Sequence, residues 1–173
     1  IKQELSAHVP PARHCRLAEM AAILNFCSRV ESVEGESPCV KMHTENLAVA
    51  RKYFTLLRKT FNIEMNVSTR QSRNPRGSLS YEVTSFGGLE PVKHMLVQNQ
   101  CCRRAYIRGA FLASGSLSDP EKGYHFEIVC SGEEKADELR EMLASFGIDA
   151  RITLRKRSYV LYVKEGSQIA DLL

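Results

Sequence analysis

Apolar and polar positions change their period several times along this chain, and the changes recur in the same order in its two halves. In the first half, an alanine- and leucine-rich stretch around 14–28 predicts a helix, followed by short strands near 30–34 and 39–43. Leu47, Ala50, Phe54, Leu57 and Phe61 then return at three- and four-residue steps, which predicts a helix over 45–60 with that stripe in the core and Thr44 as its cap. Strict alternation in Ile63-Glu-Met-Asn-Val67 and Leu79-Ser-Tyr-Glu-Val83, around the turn-rich Asn74-Pro-Arg-Gly-Ser78, predicts a hairpin over 63–84.

The second half repeats the series: a helix near 101–114, strands near 116–118 and 124–130, a helix over 133–146 and a hairpin over 149–164. Ala136, Leu139, Met142, Leu143 and Phe146 form its helical stripe, Ser131 and Glu134 have capping-box spacing, and Gly147 suits the stop. Residues 85–100 are read as a short helix and the link between the halves. The expected class is α+β, two pseudo-symmetric αββαββ(α) repeats with antiparallel sheets, about 1–98 and about 99–173, forming one domain.

The repeat is visible in the residues themselves. At an offset of 87, which takes Cys15 to Cys102, Arg16 falls on Arg103, Ala18 on Ala105, Met20 on Ile107, Ala22 on Gly109 and Leu24 on Phe111. Ala18 and Ala22, and Ala105, Gly109 and Ala113, place small residues four apart on a helical face, where two backbones can approach closely. Gly109 would allow the closest contact.

Tyr106-Ile-Arg-Gly-Ala-Phe-Leu-Ala-Ser-Gly-Ser-Leu117 resembles the LAGLIDADG motif of homing endonucleases. With the Cys-Arg entry, Asp119-Pro120 and Tyr124-His-Phe-Glu-Ile128, the resemblance is closer to the WhiA family of bacterial regulators of transcription, sporulation and cell division, and covers essentially the whole chain. In the nuclease family each motif helix ends in an acid that helps hold a divalent cation; the matching residues here are Cys27 and Ser114. A hard cation wants anionic oxygens, so no catalytic residue, metal or cofactor is assigned. Asp119, Glu121, Glu31, Glu34 and Glu36 lie after the two motifs without forming a symmetric pair, which leaves an active metal-dependent homing endonuclease with a displaced metal site as the least favoured reading.

Charge adds a candidate surface. Twenty-four Lys and Arg against twenty Asp and Glu give a net charge of +4, and basic residues gather on the two hairpins: Arg70, Arg73 and Arg76, then Arg151, Arg155, Lys156, Arg157 and Lys164. The resemblance implies a saddle of paired sheets over double-stranded DNA, where these side chains would contact phosphates weakly and with strong salt dependence. Basic strand edges also serve solubility, and the alternative is a surface for a protein partner or for the helix-turn-helix domain that follows in the resembled family. Tyr81, Tyr159 and Tyr162 suit either DNA or core.

Six cysteines, at 15, 27, 39, 101, 102 and 130, lack the C-x-x-C spacing of zinc sites and read as reduced thiols, with Cys101-Cys102 at a helix entry and His14 and His125 too little to claim as ligands. No run of about eighteen apolar residues and no secretory leader appears, so the expectation is a cytoplasmic protein, nucleoid-associated at full length, with no membrane partner and no small-molecule substrate. Ile1-Lys-Gln-Glu-Leu5 and Gln168-Ile-Ala-Asp-Leu-Leu173 are read as lying within a longer protein.

Overall fold

The computed structural model describes residues 1–31, 39–71, 77–87, 89, 92, 97–118, 125–165 and 168, with the backbone alone for 28–31. A short helix α1 (Lys2–Ala7) precedes the first motif helix α2 (Arg13–Cys27), then β1 (Ser28–Glu31), β2 (Cys39–Thr44), α3 (Leu47–Thr60), β3 (Met65–Gln71) and β4 (Leu79–Phe86). The second motif helix α4 (Gln100–Ser114) opens the same series again: β5 (Gly115–Leu117), β6 (Phe126–Cys130), α5 (Glu133–Ala144), β7 (Arg151–Arg155) and β8 (Ser158–Val163). This is the α+β plan of two αββαββ repeats.

Each repeat forms a four-stranded antiparallel sheet, in the orders β1-β2-β4-β3 and β5-β6-β8-β7. Period-two alternation decides which face is covered: Val40, Met42 and Thr44 on β2, and Phe126, Ile128 and Cys130 on β6, turn inward. One helix per repeat meets the same core, α3 through Val49, Ala50, Tyr53, Leu56 and Leu57, and α5 through Ala136, Leu139, Met142 and Leu143. Each buried Val, Leu or Met among these contributes about 1.5–3 kcal/mol. Phe111 of α4 stacks on Phe126 with ring centroids 5.0 Å apart, fixing that helix to its own sheet.

The motif helices pack directly on each other. Ala18, Ala22 and Ala105 are buried, Ala113 is half-buried, and a Cβ at Gly109 would stand 2.4 Å from the Glu19 carbonyl oxygen and 2.9 Å from Ala22 Cβ. Glu19, Lys52 and Arg108 are buried beside this seam: Glu19 Oε1 is 3.0 Å from Lys52 Nζ and 3.0 Å from Arg108 Nε. Lys52 also donates to the Leu5 and His8 carbonyls, which ties the N-terminal segment to α3.

Three local expectations are corrected. The cap of α3 is Asn46, whose side chain accepts from Ala48 N and Val49 N, while Thr44 accepts from Asn46 N. The buried stripe of α3 keeps the expected Ala50 and Leu57, with Phe61 packed half-buried against the core, but is rotated from Leu47, which is 41 % exposed, and from Phe54 toward Val49, Tyr53 and the ion-paired Lys52. Helix α5 starts after Gly132 with no side-chain cap, and Ser131 Oγ instead accepts from Lys135 Nζ at 3.5 Å. Its end is a Schellman turn: Ile148 N donates to Leu143 O, Gly147 N to Ala144 O, and Gly147 has φ 75°. Most of the expected helix within 85–100, and the turn at 74–76, lie outside the described residues; Ser85 and Phe86 belong to β4.

Candidate functional site

The two motif helices finish side by side, and among the described residues the groups there are neutral or cationic. Cys27 Sγ donates to the Ala113 carbonyl at 3.6 Å, and Ser114 Oγ donates to Ala110 O at 3.4 Å within its own helix. Burial pushes the Cys27 thiol up to about 11, although the Lys2 ammonium opposes this. The carbonyls exposed at the helix ends carry the negative pole of each dipole. Lys2 Nζ donates to Leu112 O at 3.1 Å, and Lys135 Nζ donates to Asn25 O at 2.7 Å. Burial depresses the Lys2 pKa. Sequence reading missed both lysines, because neither lies within a motif helix. Asp119, Glu121, Glu34 and Glu36 lie outside the described residues, as does the Glu31 side chain.

The uncovered faces of the sheets carry part of the basic set. Cross-strand pairing puts Arg151 opposite Tyr162, Arg155 opposite Ser158 and Glu127 opposite Tyr162, so these side chains share one face of the second sheet. Lys164, one period beyond, lies over the Tyr162 ring at 5.7 Å. Lys156, with φ 58°, and Arg157 form the exposed β7–β8 turn. On the first sheet Arg70 lies opposite Ser80 on the outermost strand. Arg73 and Arg76 lie outside the described residues. Tyr81 and Tyr159 pack half-buried against the core, whereas Tyr162 belongs to the uncovered face.

Acids on the same surface temper its field. Arg155 makes a two-pronged contact with Glu127 at 3.2 and 3.3 Å, Arg70 is 3.8 Å from Glu82, and Arg151 is 4.0 Å from Asp149. Exposed pairs of this kind contribute little to stability, about 0–1 kcal/mol, and leave the arginines free to exchange partners. Among the described residues, Lys156, Arg157 and Lys164 have no carboxylate within 4.0 Å.

At the opposite ends of the motif helices, His14 and Cys15 of α2 meet Cys101 and Cys102 of α4. Their ligand atoms all lie within 4.8 Å of one another. Burial, together with the neighbouring Cys101 and Cys102, pushes the Cys15 thiol up to about 12. The sequence reading passed over this group because its members stand as two adjacent pairs far apart in the chain. The signal was present in the repeat, since the offset that takes Cys15 to Cys102 also takes His14 to Cys101.

Comparisons with known proteins agree with this architecture. Residues 13–93 match the family model described as the WhiA N-terminal LAGLIDADG-like domain, and residues 103–173 match the WhiA LAGLIDADG-like domain. A probable cell division protein WhiA from Lachnoclostridium phytofermentans is 46% identical over 194 aligned residues, covering 100% of this chain and 62% of that protein. Its counterpart from Alkaliphilus oremlandii is 42% identical, covering 99% of this chain and 61% of that protein. The chain thus spans about three fifths of the length of these relatives. Full-length DUF199/WhiA from Thermatoga maritima superposes with a TM-score of 0.83 at 20% identity, over 99% of this chain and 58% of that one. The homing endonuclease I-DmoI, solved in complex with DNA and Mn, superposes with a TM-score of 0.69 at 14% identity, over 92% of this chain and 94% of that one. Two matched family models, the relatives and the shared fold together show that the chain belongs to the WhiA family, of which it carries the LAGLIDADG-like part.

Proposed function

We propose that this chain is the non-catalytic LAGLIDADG-like part of a DNA-binding regulator of cell division and sporulation, making weak contact with duplex DNA through the uncovered faces of its two sheets. One observation carries the loss of catalysis: Cys27 and Ser114 stand at the motif-helix ends, and the ammonium groups of Lys2 and Lys135 occupy the carbonyls there. Among the described residues, these two cations, a thiol and a hydroxyl do not fit a divalent metal that needs carboxylate oxygens.

DNA contact is supported by the basic β7–β8 turn and by its continuation into Arg151, Arg155 and Lys164 on one face. Arg and Lys there would bind phosphates without reading bases, and the Tyr162 ring beside Lys164 offers a flat apolar surface. Replacing Arg155, Lys156 and Arg157 together by Ala tests the assignment by fluorescence anisotropy on labelled duplex. Affinity should fall, and the slope of log K against log salt should flatten by up to about 2.7, or about 0.9 for each phosphate no longer neutralised. Unchanged affinity and slope would remove the hairpin from the interface.

A second reading, a surface for a protein partner, is favoured by the acids interleaved with the arginines, Glu127, Glu82 and Asp149. A mixed surface suits a protein of complementary pattern better than a uniformly anionic duplex. Under this reading the triple substitution leaves DNA affinity unchanged.

A further inference from the structure

We propose that His14, Cys15, Cys101 and Cys102 form a structural zinc site that ties the N-terminal ends of the two motif helices together. The four side chains are two equivalent pairs, one at the start of each helix, brought together by the packing of α2 on α4. His14 Nδ1 lies 3.1 Å from Cys102 Sγ, 3.4 Å from Cys15 Sγ and 4.0 Å from Cys101 Sγ. Around a tetrahedral zinc ion, with sulfur at about 2.3 Å and nitrogen at about 2.05 Å, neighbouring ligands stand about 3.6 Å (S···N) and about 3.8 Å (S···S) apart. The three S···N spacings bracket the expected value, and the 4.8 Å upper limit on the whole set leaves only small side-chain adjustments to make.

The thiols hydrogen-bond among themselves, but hydrogen bonding to His14 accounts poorly for the way they gather on its ring. Three sulfurs converge on one ring nitrogen, and a neutral imidazole Nδ1 offers either one lone pair or one proton. At most one of the three contacts is therefore satisfied without a metal. A soft set of three thiolates and one imidazole is a zinc donor set rather than a magnesium or calcium one. It supplies all four tetrahedral positions from the protein, which makes it a closed, structural site.

The surroundings suit a bound metal. Zinc with three thiolates carries a net charge of −1, and it would lie at the positive ends of two helix dipoles. Cys15 and Cys102 are buried with Ala18 and Ala105, with Ala12 and Val97 packed against them, so one side of the site is walled by apolar groups. His14 and Cys101 are exposed, which gives the ion a way in. This assignment goes beyond the expectation of reduced thiols at a helix entry, and it stands whether or not the chain contacts DNA.

The test uses the full chain, reduced and handled without oxygen, with bound metal measured by elemental analysis and by cobalt(II) titration. About one zinc per chain and the absorption of tetrahedral thiolate-bound cobalt are expected. Cys101→Ser and His14→Ala alter exposed residues outside the hydrophobic core. Each should weaken metal binding about tenfold or more, whereas Cys39→Ser should leave it unchanged. A reduced wild-type chain that retains and takes up no zinc or cobalt would overturn the site. So would binding that is equally strong in both variants, or a disulfide joining Cys15 to Cys102 that persists under reductant while metal is absent.

Discussion

Arg108 Nε reaches across the motif-helix seam to Glu19 Oε1 at 3.0 Å, and the same oxygen holds Lys52 Nζ from α3 at 3.0 Å. One carboxylate thus compensates two buried cations from different parts of the fold. Removing it leaves both uncompensated in a low dielectric, so Glu19→Ala should destabilise the chain by about 3–5 kcal/mol. Pairing Glu19→Met with Lys52→Met removes one charge of each sign and should cost less than Glu19→Ala alone. Urea unfolding of the three chains measures this; a loss below about 1 kcal/mol for Glu19→Ala would contradict the compensation.

One residue further along α4, Gly109 has no space for a methyl group, since the nearest atom is the Glu19 carbonyl oxygen in the opposite backbone. Gly→Ala in a helix ordinarily stabilises by up to about 1 kcal/mol. Here the sign should reverse, with Gly109→Ala costing about 1–3 kcal/mol as the helices are forced apart. A raised melting temperature for this variant would contradict the close approach.

Burial disfavours the Cys27 thiolate, and a pKa of about 11 leaves roughly one thiol in a thousand ionised at pH 8, against about a quarter for a free cysteine. Alkylation of Cys27 by iodoacetamide, followed by peptide mass spectrometry, should therefore be about two hundredfold slower in the folded chain than in urea. Its rate should climb about tenfold per pH unit up to about pH 10. A rate that levels off near pH 8.5 would place the thiol in a more polar setting.

How much of this was legible in the residues depended on whether the deciding contact was local. The αββαββ order followed from period changes, and Gly147 marked a helix stop because a left-handed turn there needs a glycine. Lys52 misled the reading of α3: a lysine counts as polar in any periodicity, yet here it is buried on Glu19, so the inner face turned toward Val49 and Tyr53. The family resemblance pointed to Cys27 and Ser114, but Lys2 and Lys135 come from α1 and α5, and only tertiary packing brings them to the motif-helix ends. The His14 cluster escaped for a related reason, since pairs on two separate helices show none of the spacing by which metal sites are read from a single stretch.

The measurement that tests the central claim most directly is binding of this chain to duplex DNA across a salt series, with and without magnesium or manganese, with strand integrity checked in the same samples. The account predicts weak binding that falls steeply with salt, at non-specific affinities of about 10⁻⁴ to 10⁻⁶ M at physiological salt, and intact strands under every condition. Metal-dependent cleavage would contradict the retired motif-helix ends, and no binding even at low salt would contradict the DNA-contacting sheet faces.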